Sequence, residues 1–345
     1  MPLETAEQLK RLGNKLKREL GACIVSALEN PNVLEVCVNS DGRIWIEEIS
    51  KTLYDTGTQI HSENLTAALG TIAALNGLEL NENNPILECR LPLDGSRVEG
   101  SIPPTTPDGP SMSIRKHASA IFPLSRYVSE GRIPEEAAVY LREVIHHSKN
   151  ILVAGGTSSG KTTFVNALMN ELLEIAPDDR LIVIEDTQEL QCATTNKQNF
   201  VATENVSMRK LLKTAMRFRP DRIIIGEVRG GEALDLLKSW NTGHPGGLAT
   251  VHANNAPAAL LRLEQLISEV SVTPMRALIA EAINVVVYMM DFGRLGKQVV
   301  EIIHVTGFGE EGYKYDLIYR IDGEGKLAEL GFLGKTGSKN SSGQV

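Results

Sequence analysis

At 345 residues the chain is long for one domain, and length alone suggests two. Apolar residues make up 42% and charged residues 23%, the balance of a globular protein, and no apolar run approaches the ~20 residues that span a membrane. A formal charge of −8 argues against a dedicated nucleic-acid binder, while leaving room for a local basic patch. The opening residues carry acid and no long apolar core, unlike a secretory signal. Cys23, Cys37, Cys89 and Cys192 are widely separated, which fits neither a zinc module nor a disulfide framework and suits a reducing cytoplasm.

Residues 6–29 predict a helix, with Leu9, Leu12, Leu16 and Leu20 at helical spacing and Ala27 and Leu28 beyond. Lys10, Arg11, Lys15, Lys17 and Arg18 make it basic and amphipathic. Two readings follow: contact with an anionic membrane surface, or a domain helix with a solvated basic face. Val33–Val38 and Arg43–Glu47 read as strands joined by an Asn-Ser-Asp-Gly turn, Ser62–Asn76 as a helix, and Ile86–Leu91 with Ser96–Ile102 as a second hairpin. Ser111–Arg115 is a last strand, completing a small α+β domain over residues 1–121. Pro123, Gly131 and Pro134 punctuate 122–134, which reads as a linker.

Glu135–His146 predicts a helix leading to Ile151–Ala154, four apolar residues that read as a buried strand. Gly155-Gly156-Thr157-Ser158-Ser159-Gly160-Lys161-Thr162 then matches the phosphate-loop pattern, and Thr163 with the apolar residues after it continues as a helix. Glycines at 155, 156 and 160 let backbone amides converge on phosphate oxygens, and the helix N-terminus points its positive end at them. Lys161 supplies a charge to the β and γ phosphates, and the Thr162 hydroxyl suits Mg2+. The stretch predicts binding of a nucleoside triphosphate.

Beyond it, apolar runs at Leu181–Ile184, Ile223–Ile225 and Leu248–Val251 alternate with helices at Ser207–Arg217, Gly231–Trp240, Ala256–Val270 and Pro274–Ile283. Continuous apolar strands between helices indicate a parallel sheet covered on both faces. Val285–Met289, Val299–Val305 and Tyr313–Ile321 close the set, placing an α/β domain at 135–333 and a flexible tail at 334–345. Ligands of open parallel sheets sit at the carboxyl ends of strands. Three such ends carry Glu185-Asp186, Glu227 and His252. A carboxylate there can hold the Mg2+ shell or polarise the attacking water, and His252 can contact the γ-phosphate side. Arg217, Arg219 and Arg222 precede the Ile223 strand, Arg229 follows it, and Arg97 and Arg115 lie in the small domain. Any of these can serve phosphate oxygens, in cis or across a subunit boundary.

Gly-Gly-Thr-Ser-Ser-Gly-Lys-Thr-Thr, Ile-Glu-Asp-Thr-Gln-Glu-Leu, Arg-Phe-Arg-Pro-Asp-Arg-Ile-Ile-Ile-Gly-Glu-Val-Arg-Gly and Gly-Gly-Leu-Ala-Thr-Val-His-Ala-Asn occur in that order. The set resembles the secretion or traffic ATPases of type II and type IV secretion systems. Ser239–Gly247 looks like the TrbB-type conjugal transfer ATPases among them. The resemblance is strong from about 135 to 290 and looser before that. It implies a RecA-like P-loop NTPase domain behind a mobile N-terminal domain, with ATP and Mg2+ bound between the two. It also implies a homo-hexameric ring, peripheral at the cytoplasmic face of the inner membrane, working with a secretion or conjugation complex. By motif, Glu185 falls in the family's acidic box, Glu227 in its second Walker motif and His252 in its histidine box. Glu185 is then assigned to the water and Glu227 to the Mg2+ shell, roles that could be exchanged. Arg115 matches an arginine that reaches nucleotide from the N-terminal domain, and Arg217 and Arg219 match an arginine-rich approach to the second Walker strand. Ser158 stands where the family usually has Gly, a replacement expected to be tolerated if its φ is negative. The paired-cysteine zinc module of many pilus-assembly relatives is absent, which favours conjugation. The competing readings are a pilus or type II secretion ATPase, a RecA-like motor acting directly on DNA, which the acidic balance disfavours, and a scaffold that binds ATP with negligible turnover.

Overall fold

The computed structural model describes residues 6–48, 51–116, 122–203, 205–293, 296–321 and 327–330. They form two compact units, residues 1–120 and 121–345.

The first unit is a six-stranded antiparallel sheet with two helices. Its elements are α1 (Ala6–Glu29), β1 (Val33–Val38), β2 (Arg43–Glu48), β3 (Lys51–Gln59), α2 (Ser62–Leu75), β4 (Ile86–Arg90), β5 (Arg97–Ser101) and β6 (Ser111–Arg115), with strand order β3-β2-β1-β6-β5-β4. Alternate residues such as Val98 and Ile114 turn inward and meet Leu16, Leu20 and Ile24 of α1 and Leu65, Leu69 and Ile72 of α2. The apolar stripe of α1 from Leu16 to Ala27 is therefore core. Of its cations, Lys15 pairs with Glu19 and Lys17 with Glu29. The membrane-contact reading loses its apolar face over those residues, and the domain-helix reading accounts for them. The helix also breaks at Gly21, whose φ of 79° and ψ of 165° are not helical.

The second unit begins with α3 (Leu124–Ser129) and α4 (Glu135–His146). Residues 122–134 are not a linker. Leu124, Tyr127 and Ile133 are buried in the unit's core, and the Tyr127 ring packs edge-on against Phe164 at 5.1 Å. The prolines and glycine that suggested a linker bracket one short helix.

The chain continues through β7 (Ile151–Gly155), α5 (Lys161–Ile175), β8 (Leu181–Glu185), β9 (Lys197–Val201), α6 (Met208–Ala215), β10 (Arg222–Val228), α7 (Glu232–Asn241), β11 (Leu248–His252), α8 (Ala256–Ser268), α9 (Arg276–Ala282), β12 (Val285–Asp291), β13 (Lys297–Gly309), β14 (Gly312–Ile321) and β15 (Leu327–Leu330). The nine-stranded sheet runs β15-β14-β13-β12-β7-β11-β10-β8-β9, parallel from β12 to β9 and antiparallel beyond. Ile151 and Val153 face one layer with α3, α4 and α5, while Leu152 and Ala154 face the layer of α6 to α9. Burial on both faces is why these strands read as unbroken apolar runs. The order places β7 between β11 and β12, so the loop after β7 emerges at the middle of the sheet's carboxyl edge. The predicted tail at 334–345 lies outside the described residues.

Candidate active site

Gly155 ends β7 and pairs with His252 of β11 on one side and Met289 of β12 on the other. The loop then turns into α5 at Gly160, whose φ of 91° only glycine adopts without strain. Lys161 is buried and its Nζ donates to the carbonyls of Gly155 at 3.0 Å and Gly156 at 2.7 Å. Ser159 Oγ donates to the Gly156 carbonyl at 2.9 Å. Thr157 and Ser158 are exposed, Gly156, Thr162 and Thr163 partly so. Ser158 has φ of 58°, in the left-handed region. The condition of a negative angle, on which tolerance of serine rested, is not met, and the loop carries a strain that glycine would relieve.

β8, β10 and β11 bring three titratable groups to the same edge. Glu185, the last residue of β8, is 2% exposed. Its Oε1 accepts from the backbone N–H of Glu189 and Leu190, each at 2.8 Å, so the following loop folds back over the carboxylate. Burial pushes its pKa up to about 7; the two N–H donors oppose that, and the charges of Glu189 and Asp186 add to it. Asn166 of α5 accepts from Gln191 N at 2.8 Å, tying the same loop to the phosphate-loop helix.

β10 reaches its end through a bulge. Ile225 pairs with Ala249 and Val228 with Val251, so β10 takes an extra residue over Gly226-Glu227. Thr250 Oγ1 donates to the freed Gly226 carbonyl at 2.7 Å. A Cβ at position 226 would lie 2.9 Å from Glu185 Cγ, so glycine at the bulge makes room for the buried acid. Glu227 Oε2 accepts from Arg229 Nε at 2.9 Å and Nη2 at 2.7 Å, and the same guanidinium donates through Nη1 to Asp186 Oδ2. One cation thus ties the ends of β8 and β10 together. His252, exposed at the end of β11, places Nε2 3.4 Å from Thr157 Oγ1. Partial burial and the nearby Lys161 charge lower its pKa, against the pull of Glu227, leaving the ring neutral at pH 7.

A sequence profile described as Type II/IV secretion system protein matches residues 18–292. The chain belongs to this family. Conjugal transfer protein TrbB of Rhizobium radiobacter is 41% identical over 318 residues, covering 92% of this chain and 98% of the relative. The type IV secretion system protein PtlH homolog of Bordetella bronchiseptica is 32% identical over 317 residues, covering 81% of this chain and 92% of its own length. The ATPase DotB of Yersinia pseudotuberculosis superposes with a TM-score of 0.62 at 19% identity, covering 88% of this chain and 80% of its own. The pilus retraction motor PilT with bound ADP gives 0.58 at 16%, covering 88% and 83%. At such identities the structures establish the fold, a RecA-like α/β arrangement.

The secretion-family motifs divide by position. Arg217 and Arg219, expected near the nucleotide, are exposed and precede β10. The length of that strand separates them from the phosphate loop of their own chain by about 20 Å, so in cis they are not part of this site. Arg222 is buried and structural, its Nε 2.5 Å from Asp179 Oδ2. Arg115 is exposed at the end of β6 in the first unit. The arginine that does join the acids is Arg229, whose signal was its place after the strand, beside Glu227. The family stretch Ser239–Gly247 serves packing. Trp240 Nε1 donates to the Ile223 carbonyl at 3.2 Å, and a Cβ at Gly247 would meet that nitrogen at 2.1 Å.

Proposed function

We propose that this chain is the ATP-hydrolysing motor of a type IV secretion or conjugative transfer system, working as a hexamer at the cytoplasmic face of the inner membrane and driving pilus assembly or substrate transfer. The observation that carries the reading is convergence. A phosphate loop, a buried carboxylate, a carboxylate held by arginine and a neutral histidine meet at the ends of four neighbouring strands. TrbB and PtlH, named for conjugal transfer and type IV secretion, support the setting.

In this reading the amides of Gly155 to Gly160 and the N-terminus of α5 cradle the phosphates. Lys161 exchanges its carbonyl partners for β and γ phosphate oxygens, a trade of equal geometry and greater charge. Glu185 is the proton acceptor for the water. Burial holds its affinity for a proton near neutrality, and its two N–H donors fix its orientation. The water oxygen bonds to the γ-phosphorus as the bond to the β–γ bridging oxygen breaks. The water's proton passes to Glu185 and the electron pair leaves with ADP. His252 and Thr157 border the γ side.

The donor set fits Mg2+. Glu227 and Asp186 already share one cation, the Arg229 guanidinium, and a magnesium ion suits one or two carboxylates together with phosphate oxygens. Thr162 and Glu227 would hold it, Glu227 through water, and it would neutralise charge on the β and γ phosphates. Arg115 is assigned to nucleotide contact, and Arg217 and Arg219 to a neighbouring subunit's site.

Phosphate release by wild type, Lys161→Ala and Glu227→Ala tests the reading. Turnover in wild type that both variants lose by at least ~100-fold is expected. Wild type releasing phosphate no faster than Lys161→Ala would leave only a nucleotide-binding scaffold.

A further inference from the structure

On the second unit, α8, the start of α9 and the β13–β14 turn line a cavity of about 300 Å³. Leu261, 43% exposed, and Phe308, 38% exposed, offer it apolar surface, and Phe308 packs edge-on against Tyr313 at 5.2 Å. Carboxylates rim it: Glu264 of α8, and Glu310 and Glu311 of the turn. None of these groups belongs to the hydrolytic site, and nothing in the ATPase reading uses them.

The cavity wall already shows which chemistry it suits. Arg276 places its guanidinium 5.8 Å from the centroid of the Phe308 ring while its Nε donates to Glu264 Oε2 at 2.8 Å. A planar cation is thus held between an aromatic ring and a carboxylate, an arrangement guanidinium favours over ammonium. That pair accounts for Glu264. Glu310 and Glu311 are exposed and form no ion pair with a described residue. Lys314, the neighbouring cation, lays both its stem and its ammonium over Gly309 of the hairpin, forms no ion pair with a described carboxylate and does not line the cavity. The surface therefore combines apolar walls, a second aromatic edge and two carboxylates without a described counter-ion. An arginine answers all three at once, laying its methylene stem on Leu261 and Phe308 and its fork on the turn acids.

We propose that this pocket is a docking site for a partner protein, and that it takes an arginine from an extended segment of that partner. Arginine is chosen over lysine because the same wall already holds one guanidinium by stacking and pairing. Chain movement at the hydrolytic site is not required for binding, so the proposal stands or falls apart from the ATPase reading.

The test is a titration of the full chain, without nucleotide, against a fluorescein-labelled Ser-Gly-Arg-Leu-Arg-Gly-Ser peptide, followed by anisotropy. Its companion peptide carries citrulline, the neutral isostere, at both arginines. Saturable binding that weakens at least tenfold with citrulline, and at least tenfold again for the arginine peptide on the Glu310→Gln, Glu311→Gln double variant, is expected. Both acids sit on an exposed turn, so the variant keeps its fold, and its affinity for ATP is to match wild type. Equal binding of the two peptides, equal binding by wild type and variant, or no binding at millimolar peptide overturns the proposal. So does a change in assembly mass caused by the double variant, which would assign this face to contacts between copies of the chain.

Discussion

The affinity of Glu185 for a proton is raised although two backbone donors favour the ionised form, so burial outweighs them. A carboxyl whose folded pKa is raised binds its proton to higher pH than the unfolded chain does. Its contribution to stability is complete below pH 4.5 and declines as pH rises through about 7. Above pH 7 the buried charge costs up to about 3 kcal/mol. Glu185→Gln keeps an oxygen for the two N–H donors and removes the charge. Relative to wild type it gains about 2 to 3 kcal/mol between pH 5 and pH 8 in urea unfolding, while phosphate release falls ~100-fold or more. A stability difference that stays flat over that range would refute ionisation strain at this residue. Ser158 carries strain of another kind, in the backbone. With φ at 58°, Ser158→Gly is neutral or stabilising by up to about 1 kcal/mol, because relief of strain is partly offset by glycine's freedom when unfolded. Ser158→Val, β-branched at the same angle, costs about 1 to 3 kcal/mol. Equal melting of the two variants would refute the left-handed geometry.

At the scale of elements, what positions Glu227 is the bulge in β10, closed by the Thr250 hydroxyl and packed against Glu185. Gly226→Ala puts a methyl 2.9 Å from Glu185 Cγ, so the acid, the bulge or both must shift. A displacement near 1 Å at a reacting group costs ~100-fold in turnover, while nucleotide affinity, set by the loop after β7, is retained. Unchanged turnover would show that the close approach is not functional. The strands behind this site were legible because burial on both faces writes them as Leu181–Ile184, Ile223–Ile225 and Leu248–Val251. The edges were not. β9 is Lys-Gln-Asn-Phe-Val and β3 is Lys-Thr-Leu-Tyr-Asp-Thr-Gly-Thr-Gln, at sheet margins where polar residues meet water and no alternation is enforced. α3 was hidden by Pro123 and Gly131, which mark turns in sequence yet here bracket a helix buried through Leu124 and Tyr127. The bulge has no sequence signal beyond one glycine. Without it, the reach of Arg229 across to Asp186 is invisible in the sequence, where the arginines before β10 form the more conspicuous cluster.

For the whole molecule, the position of the arginines before β10 bears on assembly. Arg217 and Arg219 lie at the opposite end of β10 from the phosphate loop they were expected to serve. If they act in hydrolysis, they act on a neighbour. A ring built by one repeated heterologous contact supplies such a neighbour at every boundary, and guanidinium groups delivered in trans contribute 10³–10⁵-fold in related phosphoryl transfer. Mixing variants separates the two cases. Lys161→Ala subunits carry intact arginines and a disabled loop; Arg217→Ala, Arg219→Ala subunits carry the reverse. Each alone is expected to be inactive. In an equal mixture, random exchange around a ring pairs an intact loop with an intact neighbouring arginine at about one boundary in four, so phosphate release recovers to ~25% of wild type. Recovery must also depend on assembly, vanishing at dilutions where mass measurement with a nonhydrolysable ATP analogue finds only monomer. An arginine variant with full activity by itself removes these residues from the reaction, and a mixture as inactive as its components removes the action in trans.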